Sequence, residues 1–300
     1  MVSSYIAWYL FLAGAGGGAF AIAATVDFAL RFRTGAWLER ASRVTDAGLV
    51  AGPALVALGA VFLTLDLGAP EQAFQLFLAP SGSLLSVGAW SIALFCLTAA
   101  GALATDMMGE GAFVRVAETA LSIVAALLSV FVMVYAGVFL SIYPSVPFLH
   151  TPLVPLLFVA SALATGAAAL IAIAFFRLAR DGVAEGMGSL VVLDAPLVLV
   201  EAAAIAVFVA TSWLAGGPAA QSASSLVSGS GAMLFWLGVV AAGLVVPLSV
   251  DAVCARRPHP AALMVGAAAT LAGGLCLRFA LLVAAERFCL VDMSVLVYWM

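Results

Sequence analysis

Lysine is missing from this chain: all 11 basic residues among its 300 positions are arginine. Charge of either sign is scarce, at 9%, while 66% of residues are hydrophobic. A soluble fold built from that composition would have too little polar surface to cover its exterior, so the natural solvent is lipid. Histidine is nearly absent, and both copies, His150 and His259, fall in predicted loops. A haem held between membrane helices needs axial ligands inside those helices, so no intramembrane haem is expected. The four cysteines, Cys96, Cys254, Cys276 and Cys289, show no C-x-x-C spacing. That argues against a cluster or zinc site built by this chain alone, and small apolar packing residues are the simpler reading. No metal in this chain and no nucleic-acid partner are expected, and the net charge of −4 is too small to point to a partner.

What the chain has is apolar length. Stretches of roughly 20 residues, enough to cross about 30 Å of hydrocarbon, recur from end to end. One cleavable leader would account for only one such stretch. Hydropathy predicts helices near 5–30, 48–65, 87–105, 116–142, 153–176, 190–214, 231–250 and 261–285. The breaks between them carry Gly68 and Pro70, Pro80 to Gly82, Pro144, Pro147 and Pro152, Gly216 to Pro218, and Pro258 and Pro260. The expected architecture is all-α: a single polytopic membrane domain over 1–300, with eight transmembrane helices arranged as two four-helix bundles.

Arginine positions give an orientation. Arg31, Arg33, Arg40 and Arg43 follow helix 1, Arg115 follows helix 3, Arg177 and Arg180 follow helix 5, and Arg256 and Arg257 follow helix 7. The loops after helices 2, 4 and 6 contain none. This asymmetry places the odd-numbered loops in the cytoplasm and both termini outside, and one missed or invented span would scramble it. The outer face, with neutral or acidic loops, is the better surface for a partner protein.

An ionisable side chain at the bilayer centre costs on the order of 2.5–3.5 kcal/mol, so each one in a helix is a candidate functional group. Glu201 lies mid-helix in LDAPLVLVEAAA, with Asp194 nearer the cytoplasm, and Arg278 lies in GGLCLRFALL, roughly 10 Å from the outer end. An ion pair between Glu201 and Arg278 would offset part of the burial cost of each. Such a pair serves either to lock two helices together or to conduct protons beside a redox site. Asp66 ends helix 2 at the outer boundary, where a solvated interfacial carboxylate is the plain alternative to a function. Tyr135 carries a hydroxyl into the apolar zone of helix 4, where it needs a partner and is able to offer a hydrogen bond. Trp8, Tyr9 and Trp90 fit an interfacial aromatic belt.

Helix 1 also holds the run AGAGGGAF from Ala13 to Phe20. It lets a neighbouring helix or a flat ligand approach the backbone closely. It is no dinucleotide fingerprint, because no strand precedes it.

Taken in order, these segments resemble the NrfD/polysulfide reductase family of integral membrane anchors of bacterial iron–sulfur molybdoenzyme complexes. WYLFLAGAGGGAF (8–20) resembles the family's first-helix signature. DLGAPEQAFQLFL and SLLSVGAW, within 66–90, resemble its D-L-G-x-P segment and the start of helix 3. YAGVFLSIYPSVPFLHTPLVPLLFVASALATG (135–166) resembles the Y-x-G-x-x-x-S segment, a proline-rich loop and helix 5. LFWLGVVAAGLVVPL (234–248) and GGLCLRFALL (273–282) resemble helices 7 and 8.

The resemblance implies a menaquinone or menaquinol site near the outer face, among the first four helices. Beside it would dock a ferredoxin-like subunit carrying [4Fe–4S] clusters, with a molybdopterin catalytic subunit beyond. Tyr135 matches the family's tyrosine at the quinone head group and Asp66 the acidic residue by the same site; Tyr9 and Trp90 complete the expected quinone set. Glu201 and Arg278, with Asp194, match a proposed proton route. The expected home is the bacterial cytoplasmic membrane. Two other readings stand beside this one. Buried charges and glycine- or proline-interrupted helices also suit a secondary transporter, although the two halves show no convincing repeat. A purely structural anchor without quinone chemistry is the third.

Overall fold

The computed structural model describes residues 4–33, 35–66, 83–107, 111–142, 144, 146–178, 183–255 and 259–286. Every regular element among the described residues is helical, and eight helices are long and apolar enough to cross a membrane. They are α1 (Ser4–Phe32), α2 (Ala36–Asp66), α3 (Leu84–Asp106), α4 (Ala112–Ser141), α5 (Leu153–Phe176), α6 (Val183–Leu214), α8 (Leu234–Cys254) and α9 (Pro260–Glu286). A twelve-residue helix, α7 (Gly217–Ser228), is too short to span. The chain is an all-α polytopic membrane protein.

Most spans match the hydropathy reading, and the differences share one cause. α2 begins at Ala36 rather than near 48, and α6 at Val183 rather than near 190. Both added segments are rich in good helix formers but too polar for an apolar window, as AWLERASRVTDA shows. Arg40 and Arg43 therefore sit on a helical extension of α2 rather than in a loop. This extension is anchored: the Trp37 indole N–H donates to the Ser189 carbonyl of α6 at 3.2 Å. α7 escaped the reading because GPAAQSASSLVS is polar. It follows a turn at Gly216 and Gly217, whose φ values of 70° and 56° lie in the left-handed region that favours glycine. Gly68, Pro70, Pro80 to Gly82, Arg180, Arg256 to Pro258 and Cys289 lie outside the described residues.

Packing makes α1 a hub, in contact with α2, α4, α5 and α9, while α5 touches α1, α4, α6 and α9. The glycine run explains how one helix serves four neighbours. A Cβ at Gly16 would meet the Gly52 carbonyl of α2 at 2.6 Å, and one at Gly17 the Met133 side chain of α4 at 3.1 Å. At Gly18 it would collide with the Ala162 backbone of α5, and at Gly14 it would press on the Arg278 guanidinium of α9 at 3.2 Å. Small residues thus let backbones approach where lipid supplies no hydrophobic drive between helices.

The arginine-bearing ends of α1 and α4 are tied together by Arg31. Its guanidinium donates to Asp27 at 3.0 Å, to Glu118 at 2.6 Å and to Thr119 at 2.6 Å. Beside this network, a cavity of about 420 Å³ among α1 to α4 is lined by Asp27, Asp46, Asp106 and Glu118. His150 lies between α4 and α5, its Nδ1 2.7 Å from the Ser141 carbonyl, and His259 directly precedes α9.

Candidate functional site

Two polar regions interrupt the apolar interior. The first lies near the arginine-poor end, where α1, α3 and α4 meet. Tyr135 comes from α4, a turn and a half from Ser141, which puts it roughly 9 Å inside that helix's end. It is buried, and its hydroxyl donates to the Leu84 carbonyl of α3 at 2.7 Å. Gly88 makes this approach feasible, since a Cβ there would overlap the Tyr135 ring. Phe131 stacks on Tyr135 with ring centroids 6.3 Å apart, and Phe139 is tilted against it at 6.1 Å.

Tyr9 projects from α1 toward the same place, close enough to Tyr135 for the two phenols to interact electrostatically. Its side chain is 1% exposed, and its hydroxyl has no hydrogen-bond partner among the described residues. A buried phenol normally finds an acceptor. Tyr9 is therefore a donor that no described residue satisfies, beside a cluster of aromatic rings. That combination fits a flat ring bearing carbonyl oxygens.

The other two residues expected here sit differently. Trp90, on α3, is 42% exposed. Asp66 is the half-buried last residue of α2, and the segment that follows it, 67–82, lies outside the described residues. Trp8, next to Tyr9, turns outward and stacks on Phe62 of α2 at 6.0 Å.

The second region is deeper, at the junction of α1, α5, α6 and α9. Arg278 is the largest fully buried side chain, 1% exposed. Its Nη1 donates to the Ser161 hydroxyl of α5, and to the Gly274 carbonyl at 2.8 Å. The guanidinium lies over the Phe158 ring, 5.4 Å from its centroid, a cation–π contact that compensates part of its desolvation. Gly14 and Gly274 leave it space on two sides.

Glu201 of α6 is likewise buried, with the Ser161 hydroxyl close to its carboxylate. No direct Glu201–Arg278 salt bridge forms; the Ser161 hydroxyl accepts from Arg278 and lies near both charges. Arg278 Nε and Nη2 find no hydrogen-bond partner among the described residues. Asp194, two turns from Glu201 toward the arginine-bearing end, is 2% exposed. It is close enough to interact electrostatically with both Glu201 and Asp251. Glu201, Ser161 and Arg278 thus form a buried polar cluster across three helices, and Asp194 extends its polarity toward the arginine-bearing end.

Sequence reasoning missed Ser161, Gly88 and Asp251. A serine is unremarkable in a membrane helix because its hydroxyl can bond its own backbone. Gly88 was readable only as part of a family string. Asp251 stands beyond the hydropathy end of its helix, where a carboxylate looks solvated.

Residues 2–289 match the family described as polysulphide reductase, NrfD. The sequence is 30% identical to the C chain of the Wolinella succinogenes polysulfide reductase, over 94% of its own length and 93% of the relative's. It is 26% identical to the protein NrfD homolog of Haemophilus influenzae, over 81% of its length and 80% of the relative's. Against protein NrfD of Escherichia coli the identity is 31%, over 56% of its length and 52% of the relative's. With eight membrane-length helices and a match along nearly its whole length, this chain belongs to the NrfD polysulphide reductase family of integral membrane proteins.

Proposed function

We propose that the chain is the membrane anchor of a respiratory oxidoreductase complex and exchanges electrons between menaquinol or menaquinone and an attached [4Fe–4S] ferredoxin-like subunit. A molybdopterin catalytic subunit completes the complex. Family membership supports the anchor role, since the Wolinella succinogenes relative is by name one component of a polysulfide reductase. Arginine asymmetry supports an orientation with both termini outside the bacterial cytoplasmic membrane and the partner subunits on the outer face.

One observation carries the quinone assignment: the Tyr9 hydroxyl is buried without an acceptor among the described residues, beside Tyr135 and its flanking rings. Bound quinol supplies two electrons and two protons. Tyr9 donates a hydrogen bond to a ring oxygen, and Tyr135, held by Leu84 and Gly88, fixes the opposite wall. Asp66, at the arginine-poor end of α2, accepts a released proton. Trp90, exposed on α3, borders the way in. Glu201, Arg278 and Asp194 serve proton movement in the deeper region, with Ser161 joining the first two.

The test is purification of the complex from its native membrane, followed by menaquinol oxidation assays on wild type and Tyr9→Phe. Co-purification with iron–sulfur and molybdopterin subunits, and quinol oxidation reduced at least tenfold in the variant, are expected. A complex that reduces its substrate from artificial dyes but never from quinol would leave only a structural anchor.

A further inference from the structure

The deeper polar region continues past Asp194 to a residue that the proton reading does not use. Asp251, one turn before the Cys254 end of α8, is 4% exposed. It is near enough to Asp194 for the two carboxyl groups to interact. Asp194 Oδ1 and Asp251 Oδ2 are both buried without a hydrogen-bond partner among the described residues. Two carboxyl groups out of water, near enough to interact and each with a buried oxygen that no described residue satisfies, disfavour carrying charge together.

Among the described residues, no neighbouring helix relieves them. α5 brings no titratable side chain, and the described side chains of α9 bring only Cys276 and Arg278, the latter engaged with Ser161. From α2 come Glu39, Arg40, Arg43 and Asp46, all exposed, and on α6 itself Glu185 is exposed. Cys254 lies one turn beyond Asp251.

The winding of α8 sets where Asp251 points. Leu234–Val245 is π-helical, and the Val246 N–H donates to the Ala241 carbonyl rather than to that of Ala242, as an α-helix would require. Pro247, which has no N–H, follows where the winding returns to α. A π-helix places more residues in each turn, so its length determines which face of the following segment looks inward. The close approach of Gly243 to Gly273 of α9 holds the π stretch in place.

We propose that Asp194 and Asp251 hold one proton between them and form the loading site at the arginine-bearing end from which Glu201 is supplied. The pair then comprises one carboxyl and one carboxylate. As a proton passes from Asp194 to the Glu201 carboxylate, Asp251 recovers one from the aqueous side, one turn away, so the pair keeps a single proton throughout. The supply role rests on the reading of Glu201 as a proton carrier; the shared proton does not.

Infrared spectroscopy of the purified complex, in light and heavy water and without quinol, tests the pair. A protonated-carboxyl band is expected that shifts in Asp194→Asn and in Asp251→Asn alike and vanishes in the double variant. Asp251→Ser provides a second variant should Asn prevent assembly. A band moved by neither substitution at 251, or no band sensitive to either aspartate, overturns the proposal. A band that disappears on adding sodium overturns it in favour of a bound cation. In proteoliposomes, Asp251→Asn is expected to slow proton uptake from the arginine-bearing side at least tenfold, with quinol oxidation to a dye acceptor retained; wild-type uptake in the variant overturns the supply role. A wild-type complex that takes up no proton from that side overturns the reading of Glu201 and leaves the infrared result standing.

Discussion

The Tyr135 hydroxyl of α4 donates to the Leu84 carbonyl in the first turn of α3, at 2.7 Å, across a gap that only a glycine at position 88 permits. The first-turn carbonyl of a helix normally accepts from its own backbone, so this bond adds a cross-helix tie at the mouth of the candidate quinone site. For Tyr135→Phe we expect a loss of about 1 kcal/mol in stability, intact assembly, and a drop of tenfold or more in quinol oxidation. Quinol kinetics matching wild type would remove Tyr135 from the site.

Gly88→Ala tests the same wall without touching the phenol. The added Cβ would overlap the Tyr135 ring, so either the ring or α3 must move. Overpacking of this kind costs about 1–3 kcal/mol. The expected outcome is impaired quinol oxidation with dye-linked activity of the complex preserved, and normal quinol turnover would show the wall to be unimportant.

Tyr9→Phe should separate stability from function. Removing a buried hydroxyl that has no partner among the described residues relieves a desolvation penalty of about 1–3 kcal/mol, so the variant is expected to unfold at the same temperature or higher. Quinol affinity should nevertheless fall. Thermal unfolding in detergent, followed with and without added quinol, reads both effects; a destabilised variant would mean that Tyr9 already has a partner in the free protein.

How much of this was legible beforehand depended on what each residue type betrays. Eight spans and their alternation with arginine were readable because lipid forbids exposed polar backbone and because arginine stays on one side. Glu201 and Arg278 stood out because charge is rare in such helices. That a serine joins them was hidden, since Ser161 resembles any other small residue of an apolar helix. Tyr9 and Trp90 carry equal weight as letters, yet one is buried and the other exposed, a difference fixed by how the helices pack. Asp251 was concealed by winding: hydropathy ends the helix before it, whereas a π stretch carries the backbone on and turns the carboxyl inward.

Ser161 offers the sharpest separation of the deeper region's parts. Its hydroxyl accepts from Arg278 and lies beside the Glu201 carboxylate, so Ser161→Ala removes a charge-assisted hydrogen bond while leaving both charges buried. Such a bond is worth about 1.5–3 kcal/mol, and stranding the buried guanidinium makes the loss larger than deleting one neutral pair would. We expect a marked fall in thermal stability and a slowed proton uptake, with quinol affinity unchanged because the phenols lie on other helices. Ser161→Thr keeps the hydroxyl and should restore most of both. If Ser161→Ala instead weakens quinol binding as strongly as Tyr9→Phe does, the two polar regions form one site, and the assignment of Glu201 and Arg278 to proton movement alone fails.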